Sequence, residues 1–345
     1  MRLRDLTAQA YEVPLRSLWE TARGKSDIAY NVRATAVLED GTTGYAEVSP
    51  RSYVTGETQE SVLLAIAQNG AHLCGEDFLG LRAFVEVTRR LMPDRYSARA
   101  LVEMAFFDAL ARSWGIPKFR LLGGAKREVR SDLSIPIATP EQTAQIAREA
   151  FAQGFRHLKI KVGGLGVEDE AQRVLAVREA APGVILRVDA NQAFDPEAAV
   201  VFIEWLIASG VPVECFEQPV SRTDLEGLAY VTQRSPVPVI ADEAAVTPED
   251  VLRLIRAEAA HGVNVKLAKS GITGSLDIIA IARAAGWKLM MGCMLESSMG
   301  IGMALHLACG TGAFQYIDLD SHHLVGEAKE PEEFQQIGEV LRLKF

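Results

Sequence analysis

Five short apolar runs ending on charged residues constrain this chain more than any other feature. Lys159-Ile160-Lys161 is followed by Leu186-Arg187-Val188-Asp189, Glu214-Cys215-Phe216-Glu217, Val239-Ile240-Ala241-Asp242 and Val263-Asn264-Val265-Lys266. The steps from Lys161 onward are 28, 28, 25 and 24 residues, each the length of one strand, one loop and one helix. Charged groups therefore recur at the carboxyl ends of consecutive strands. In a parallel barrel those ends converge on one mouth, where catalytic groups collect.

Three carboxylates brought together repel one another, and burial makes the repulsion worse. They must be protonated or be given a cation. An all-oxygen set from Asp189, Glu217 and Asp242 suits a hard divalent ion, Mg²⁺ before Mn²⁺. No His or Cys stands at these positions, which argues against zinc. One such acid alone would read as a solvated loop residue; three in register, bracketed by lysines, do not.

The rest of the chain fits this frame. Residues 1–50 read as β, with Val32–Leu38 and Thr43–Val48 flanking a Glu39-Asp40-Gly41 turn. A polar loop is expected over 16–28, and helices from 57 to 114, one of them starting at Thr58 and another running from Ser97 to Arg112. Gly123-Gly124 marks the end of this α+β unit. Beyond it, β-rich runs near 133–137, 157–161, 185–189, 213–216, 237–241, 263–267, 288–291 and 315–318 alternate with amphipathic stretches. The fold class is α/β: a (β/α)-barrel of the modified TIM type, 123–324, under an N-terminal α+β capping domain, 1–122. The tail, 325–345, is expected to pack back on the capping domain. A doubly wound open sheet would usually bring a Gly-rich phosphate turn after its first strand, and none follows Ser134–Ile137. Gly163-Gly164-Leu165-Gly166 lacks the GxGxxG spacing.

Composition narrows the function classes. With 36 basic and 45 acidic residues the formal charge is −9, which disfavours a nucleic-acid or anionic-membrane surface. The four cysteines show no CxxC pairing, as in a reduced cytosolic protein. The N-terminus lacks an apolar signal core, and no apolar run approaches the ~20 residues of a membrane span. The expectation is a cytoplasmic protein, a homo-oligomer, with a small-molecule substrate.

The motifs Lys159-x-Lys161, Asp189-x-Asn191, Glu217-Gln-Pro, Ala-Asp242-Glu243 and the strand-ending Lys266 together resemble the enolase superfamily, muconate-lactonising subgroup. Tyr316-Ile-Asp318-Leu-Asp320 is similar to the Asp-x-Asp of dipeptide epimerases, and Gly292-Cys-Met294-Leu-Glu-Ser297 looks like that group's seventh-strand segment. The resemblance implies that Asp189, Glu217 and Asp242 hold Mg²⁺, and that Lys161 and Lys266 are an acid/base pair on opposite faces of a substrate α-carbon. It implies that Lys159 helps carry the substrate carboxylate, and that Asp318 and Asp320 bind the α-ammonium of a dipeptide such as L-Ala-L-Glu. Thr21-Ala-Arg23-Gly resembles the loop whose arginine meets the substrate's terminal carboxylate in Ala-Glu epimerases.

Met294 is a candidate for the pocket lining. Asn191 and Glu243 either orient ligands or cap helices. Lys269 falls in the loop after the strand end, where it either supports the site from behind or faces solvent, and His322-His323 reads as a loop feature. The acid-sugar dehydratase branch would place a His at the end of the seventh strand, and residues 288–297 contain none. A muconate cycloisomerase or an o-succinylbenzoate synthase is the alternative within the subgroup. A non-catalytic small-molecule-binding protein on the same scaffold is the alternative outside it.

Overall fold

The structure, a computed structural model, describes residues 1–326 and 333–344. The capping unit opens with an antiparallel sheet of β1 (Leu3–Thr21), β2 (Gly24–Leu38) and β3 (Thr43–Val48). The stretch 16–28, read from sequence as a polar loop, is instead the far end of the first hairpin: Trp19, Glu20 and Thr21 pair with Ser26, Lys25 and Gly24. Trp19 explains the difference. It is 8% exposed and packs on Ala29 and Leu295, so one apolar anchor seats a ribbon whose other side chains are mostly polar.

Helices Gln59–Asn69 and Tyr96–Ser113 cover the sheet, and Leu81–Leu91 packs on Tyr96–Ser113. The first starts at a capping box in which Thr58 and Ser61 each satisfy the other's backbone N–H. Tyr96–Ser113 lies so close to β3 that a Cβ on Gly44 would sit 2.1 Å from the backbone nitrogen of Ala109. Only glycine permits that approach.

Gly123 and Gly124, at φ 117° and 66°, turn the chain into the barrel. After β4 (Glu128–Arg130) come β5 (Leu133–Ile135), β6 (His157–Lys161), β7 (Ile185–Asp189), β8 (Val213–Glu217), β9 (Val239–Ala241), β10 (Gly262–Val265), β11 (Lys288–Met291) and β12 (Tyr316–Ile317). β5 to β12 form one parallel eight-stranded sheet in sequence order, one strand for each run read from the sequence. The sheet curls until its edges meet. At this seam Asp132 N–H donates to Ile317 O at 3.0 Å, and Ser134 N–H donates to the Asp320 carboxylate at 2.5 Å.

Three of the intervening helices start alike, at Thr139-Pro140-Glu141, Asp195-Pro196-Glu197 and Thr247-Pro248-Glu249. The Thr or Asp side chain accepts from the backbone N–H three residues on, and proline needs no acceptor at the first helical position. Helix Leu267–Ala284 starts directly after β10 and Lys266 and is broken at Gly271, φ 64°. The glycine-rich turn at 163–166 is a backbone nest already filled from within: Gly163, Gly164 and Leu165 N–H all donate to Glu170 Oε1.

The tail meets both units. Its start lies on the capping sheet, where Val325 bridges Leu15 and Gly326 N–H donates to Pro14 O at 2.9 Å. Farther on, β13 (Phe334–Ile337) pairs with β14 (Val340–Leu343), and β14 pairs with β4 at the start of the barrel unit. The buried Leu341 and Leu343 carry apolar surface that β4 and helix Ser298–Thr311 cover. An ion pair from Lys118 to Glu333 links the tail to the capping side. Residues 327–332 and 345 of the tail lie outside the described residues.

Candidate active site

The ladder sets the levels of the site. Lys161, Asp189 and Glu217 are cross-strand partners on one rung at the ends of β6, β7 and β8. Lys159, two residues below Lys161, points to the same face. Asp242 follows β9 directly, and Lys266 follows β10. β6 and β10 stand four strands apart in the eight-stranded curl, so Lys161 and Lys266 rise from opposite sides of the mouth.

All of these side chains are buried, and they neutralise one another. Lys161 Nζ donates to Asp189 at 2.6 Å, and Lys266 Nζ to Asp242 at 2.7 Å. Lys159, fully buried, lies 2.7 Å from Glu217, 3.1 Å from Asp189 and 2.7 Å from Asp318. Burial pushes the Lys161 ammonium down, but the carboxylates of Asp189, Asp318 and Glu217 together outweigh it and the group ends above the usual lysine range. Lys266 is likewise lowered by burial and raised further by Asp242 and Glu217.

The acids divide by their neighbours. Burial, then Asp189, push Glu217 up to about 7. For Asp242 burial works in the same direction, but Lys266 and Lys269 overcome it and hold the group below the carboxylate range. Asp318 is held low in the same way by Lys159, whereas burial and the adjacent Asp318 raise Asp320 to about 6.

The surrounding residues fix this arrangement. Asn191 sits at φ 43°, with its N–H on Asp189 Oδ1 at 2.9 Å and its amide reaching Asp189 and Glu243 at 3.4 and 3.3 Å. Glu243 is raised to about 7 by burial and by Asp242. Asn191 and Glu243 therefore stand beside the acids rather than as helix caps. Met294 lines the cavity, its sulfur 4.0 Å from Lys266 Nζ. Arg23 reaches across from the tip of the β1–β2 hairpin, giving Nε to Asn191 O and Nη2 to Gln192 O, both at 2.7 Å. Arg222, in turn, clasps the Val54 carbonyl of the capping unit.

Sequence reasoning missed two residues here, Asn264 and Arg51, and left a third undecided. Lys269, left between supporting the site and facing solvent, is fully buried and holds Asp242 from behind. Its Nζ donates to Asp242 O and Oδ1, both at 2.7 Å, and to Asn264 O at 2.8 Å. The three-residue step from Lys266 was the available signal. Asn264 donates to Glu217 Oε1 at 2.8 Å, and Arg51 lines the cavity from the capping unit. His322 and His323 share Gln336 Oε1, at 2.6 and 2.8 Å, and neither lines the cavity.

The fit to a metal rests on the donor set. Asp189, Glu217 and Asp242 are buried oxygen donors at one mouth, and among the described residues Glu217 Oε2 has no hydrogen bond of good geometry, only the Lys159 ammonium 2.7 Å away. Lysines now separate these acids. Among the described residues, the trio whose ligating atoms lie within 4.8 Å of one another is Cys293, Asp318 and Asp320. That trio suits a hard ion poorly: burial pushes the Cys293 thiol well up, and Asp318 is paired with Lys159. The three carboxylates at 189, 217 and 242 fit a Mg²⁺-type ion better.

A capping unit closed over a parallel barrel, with lysines and carboxylates on facing strand ends, is the layout of an enolase-type enzyme. A family model described as enolase C-terminal domain-like matches residues 141–341, and the mandelate racemase/muconate lactonizing enzyme N-terminal domain matches 22–123. An L-Ala-D/L-Glu epimerase of Thermotoga maritima is 40% identical, over 91% of this chain and 90% of its own. An aromatic dipeptide epimerase of Herpetosiphon aurantiacus is 36% identical over 99% of this chain and 96% of its own. The crystal structure of a dipeptide epimerase from Enterococcus faecalis, complexed with Mg and the dipeptide L-Leu-L-Tyr, matches with a TM-score of 0.93 at 32% identity, over 100% of this chain and 98% of that one. The chain belongs to the mandelate racemase/muconate lactonizing enzyme family.

Proposed function

We propose that the protein is a Mg²⁺-dependent dipeptide epimerase. It inverts the α-carbon of the C-terminal residue of a dipeptide by 1,1-proton transfer, with L-Ala-L-Glu to L-Ala-D-Glu as the first conversion to test. The observation that carries this reading is the pair of buried lysines, Lys161 and Lys266, rising from strands four apart in the curl. One amine takes the α-proton from one face. The other returns a proton to the opposite face, so the centre inverts without a leaving group.

Loss of the proton places negative charge on the substrate carboxylate oxygens. Lys159 faces that charge from a fixed, buried position and stabilises it more than it stabilises the ground state. Asp189, Glu217 and Asp242 would hold Mg²⁺, which supplies further positive charge for that carboxylate. Asn191 and Glu243 keep Asp189 in place. Asp318 and Asp320 take the α-ammonium at the amino end, and Arg23 and Met294 border the cavity. Two acids there weigh against a cycloisomerase or o-succinylbenzoate synthase, whose anionic substrates have no amine to offer. Opposed bases weigh against a pure binding protein.

A cytoplasmic setting belongs to the same reading. It is supported by four free thiols and by the lack, among the described residues, of a helix long and apolar enough to cross a membrane. The test is incubation of dipeptide libraries with protein and Mg²⁺ in D₂O. Deuterium at the C-terminal α-carbon is expected, and silence across all libraries defeats the reading.

A further inference from the structure

The capping unit presents three cations to the active-site cavity: Arg23, Lys25 and Arg51. Two are already engaged. Lys25 pairs with Glu20 at 3.1 Å, and Arg23 spends two donors on the carbonyls of Asn191 and Gln192. Both carbonyls belong to residues with positive φ, 43° and 70°, so Arg23 acts as a latch on a strained loop. Arg51 differs. Its Nη2 is buried and, among the described residues, has no hydrogen-bond partner. Glu243 lines the same cavity, but its Oε1 accepts from Asn191 and it forms no ion pair with Arg51.

A guanidinium N–H out of water with no acceptor is costly, and buried polar groups are as a rule satisfied. Nor is Arg51 on a loose segment. It follows β3, whose Glu47 is tied to Asn31 at 2.9 Å, to Arg33 at 2.7 Å and to Ser297 of the barrel at 2.6 Å. The guanidinium is thus held ready for an anion that arrives in the cavity. The reacting carbon has to lie between Lys161 and Lys266, and the amino end at Asp318 and Asp320, all on the barrel. What remains for the capping unit is the side chain of the residue being inverted. Trp19 and Leu295, 8% and 5% exposed, offer a wall for its methylenes.

We propose that Arg51 is a specificity-determining residue, pairing with a carboxylate on the side chain of the inverted residue, so that the preferred dipeptide carries Glu there. This rests on the dipeptide epimerase reading. It assigns the acid-reading role to Arg51 and a closing role to Arg23.

The test compares L-Ala-L-Glu with its neutral isostere L-Ala-L-Gln, by calorimetry with Mg²⁺ present and by α-deuterium exchange. Wild type is expected to favour Glu by about 10- to 100-fold, as a charge-assisted pair would. Arg51→Met should collapse that ratio towards one, chiefly through affinity and KM. Arg51→Lys should lower it several-fold, since lysine cannot bind in a bidentate manner. Arg23→Met should shift both ligands by the same factor.

A wild-type ratio near one, a ratio kept in Arg51→Met, or a ratio lost in Arg23→Met overturns the assignment. Should Arg51→Met fail to fold, an unchanged ratio in Arg51→Lys overturns it equally. Neutral dipeptides that exchange while L-Ala-L-Glu neither binds nor exchanges sink the Arg51 role alone. An Arg51-dependent preference in binding, with no exchange for any dipeptide, sinks the epimerase reading alone. Failure of both ligands to bind overturns the assignment.

Discussion

Lys269 grips Asp242 at two points, its ammonium donating both to the backbone carbonyl and to Oδ1 at 2.7 Å. A residue proposed to hold Mg²⁺ is thereby fixed in place by the chain itself. Lys269→Met fills the space but leaves Asp242 O and Asn264 O without this donor, and Asp242 short of one counter-charge. Breaking a buried pair in this way costs about 3–5 kcal/mol. The variant is expected to lose that much stability in urea unfolding and to bind Mg²⁺ more weakly in titration.

Lys161→Ala and Lys266→Ala each remove one of the two opposed amines. Each is expected to lower epimerisation by about 10²–10⁴-fold, the range for a positioned general acid or base. Polarimetry or NMR from both epimers checks this. Wild-type rates in either variant would contradict the mechanism.

Chelation is expected to abolish α-deuterium exchange, and Mg²⁺ to restore it. Because the three carboxylates are already neutralised by lysines, the ion-free protein should remain folded. Mg²⁺ at 100 times its Kd should add about 2.7 kcal/mol of stability, visible as a rise in Tm.

Glu103, in helix Tyr96–Ser113, accepts from Thr273 N–H at 2.7 Å, just past the Gly271 break. Burial outweighs that hydrogen bond and raises the carboxyl from 4.5 to about 7. An acid with a raised folded pKa contributes stability that is complete below about 4.5 and is lost as pH climbs through about 7. The change is on the order of 3 kcal/mol. Glu103→Gln has no such titration. The stability of wild type relative to this variant should fall between pH 4.5 and 7, and a flat difference in urea unfolding would refute the point.

The barrel was legible because its strands are mostly buried and read as short, largely apolar runs at regular spacing, with Asp189, Glu217 and Asp242 as terminal signals. Their spacing placed Lys161 and Lys266 at the ends of strands four apart, and the resemblance supplied the expectation that the two face one another. The end of the β1–β2 hairpin was not legible, since a two-stranded ribbon facing water on both sides leaves little periodicity; Trp19 was its lone apolar anchor. Arg51 escaped, and Lys269 stayed undecided, for a different reason. Whether a cation is buried depends on which carbonyls and cavities the fold brings to it, and no local pattern records that. The tail was legible only in part: its start does meet the capping sheet, but an edge strand's apolar alternation shows that it must pair and not with which edge, so the pairing of β14 with β4 was not foreseen.

The sheet's two edges meet through Asp320 and the Ser134 backbone as well as through Asp132 and Ile317. The carboxylate proposed to greet the incoming amine is also a stitch in the hoop. Replacing Asp320 would slacken the ring while emptying the subsite, so a weakened variant there cannot be read as lost recognition until its unfolding has been measured alongside.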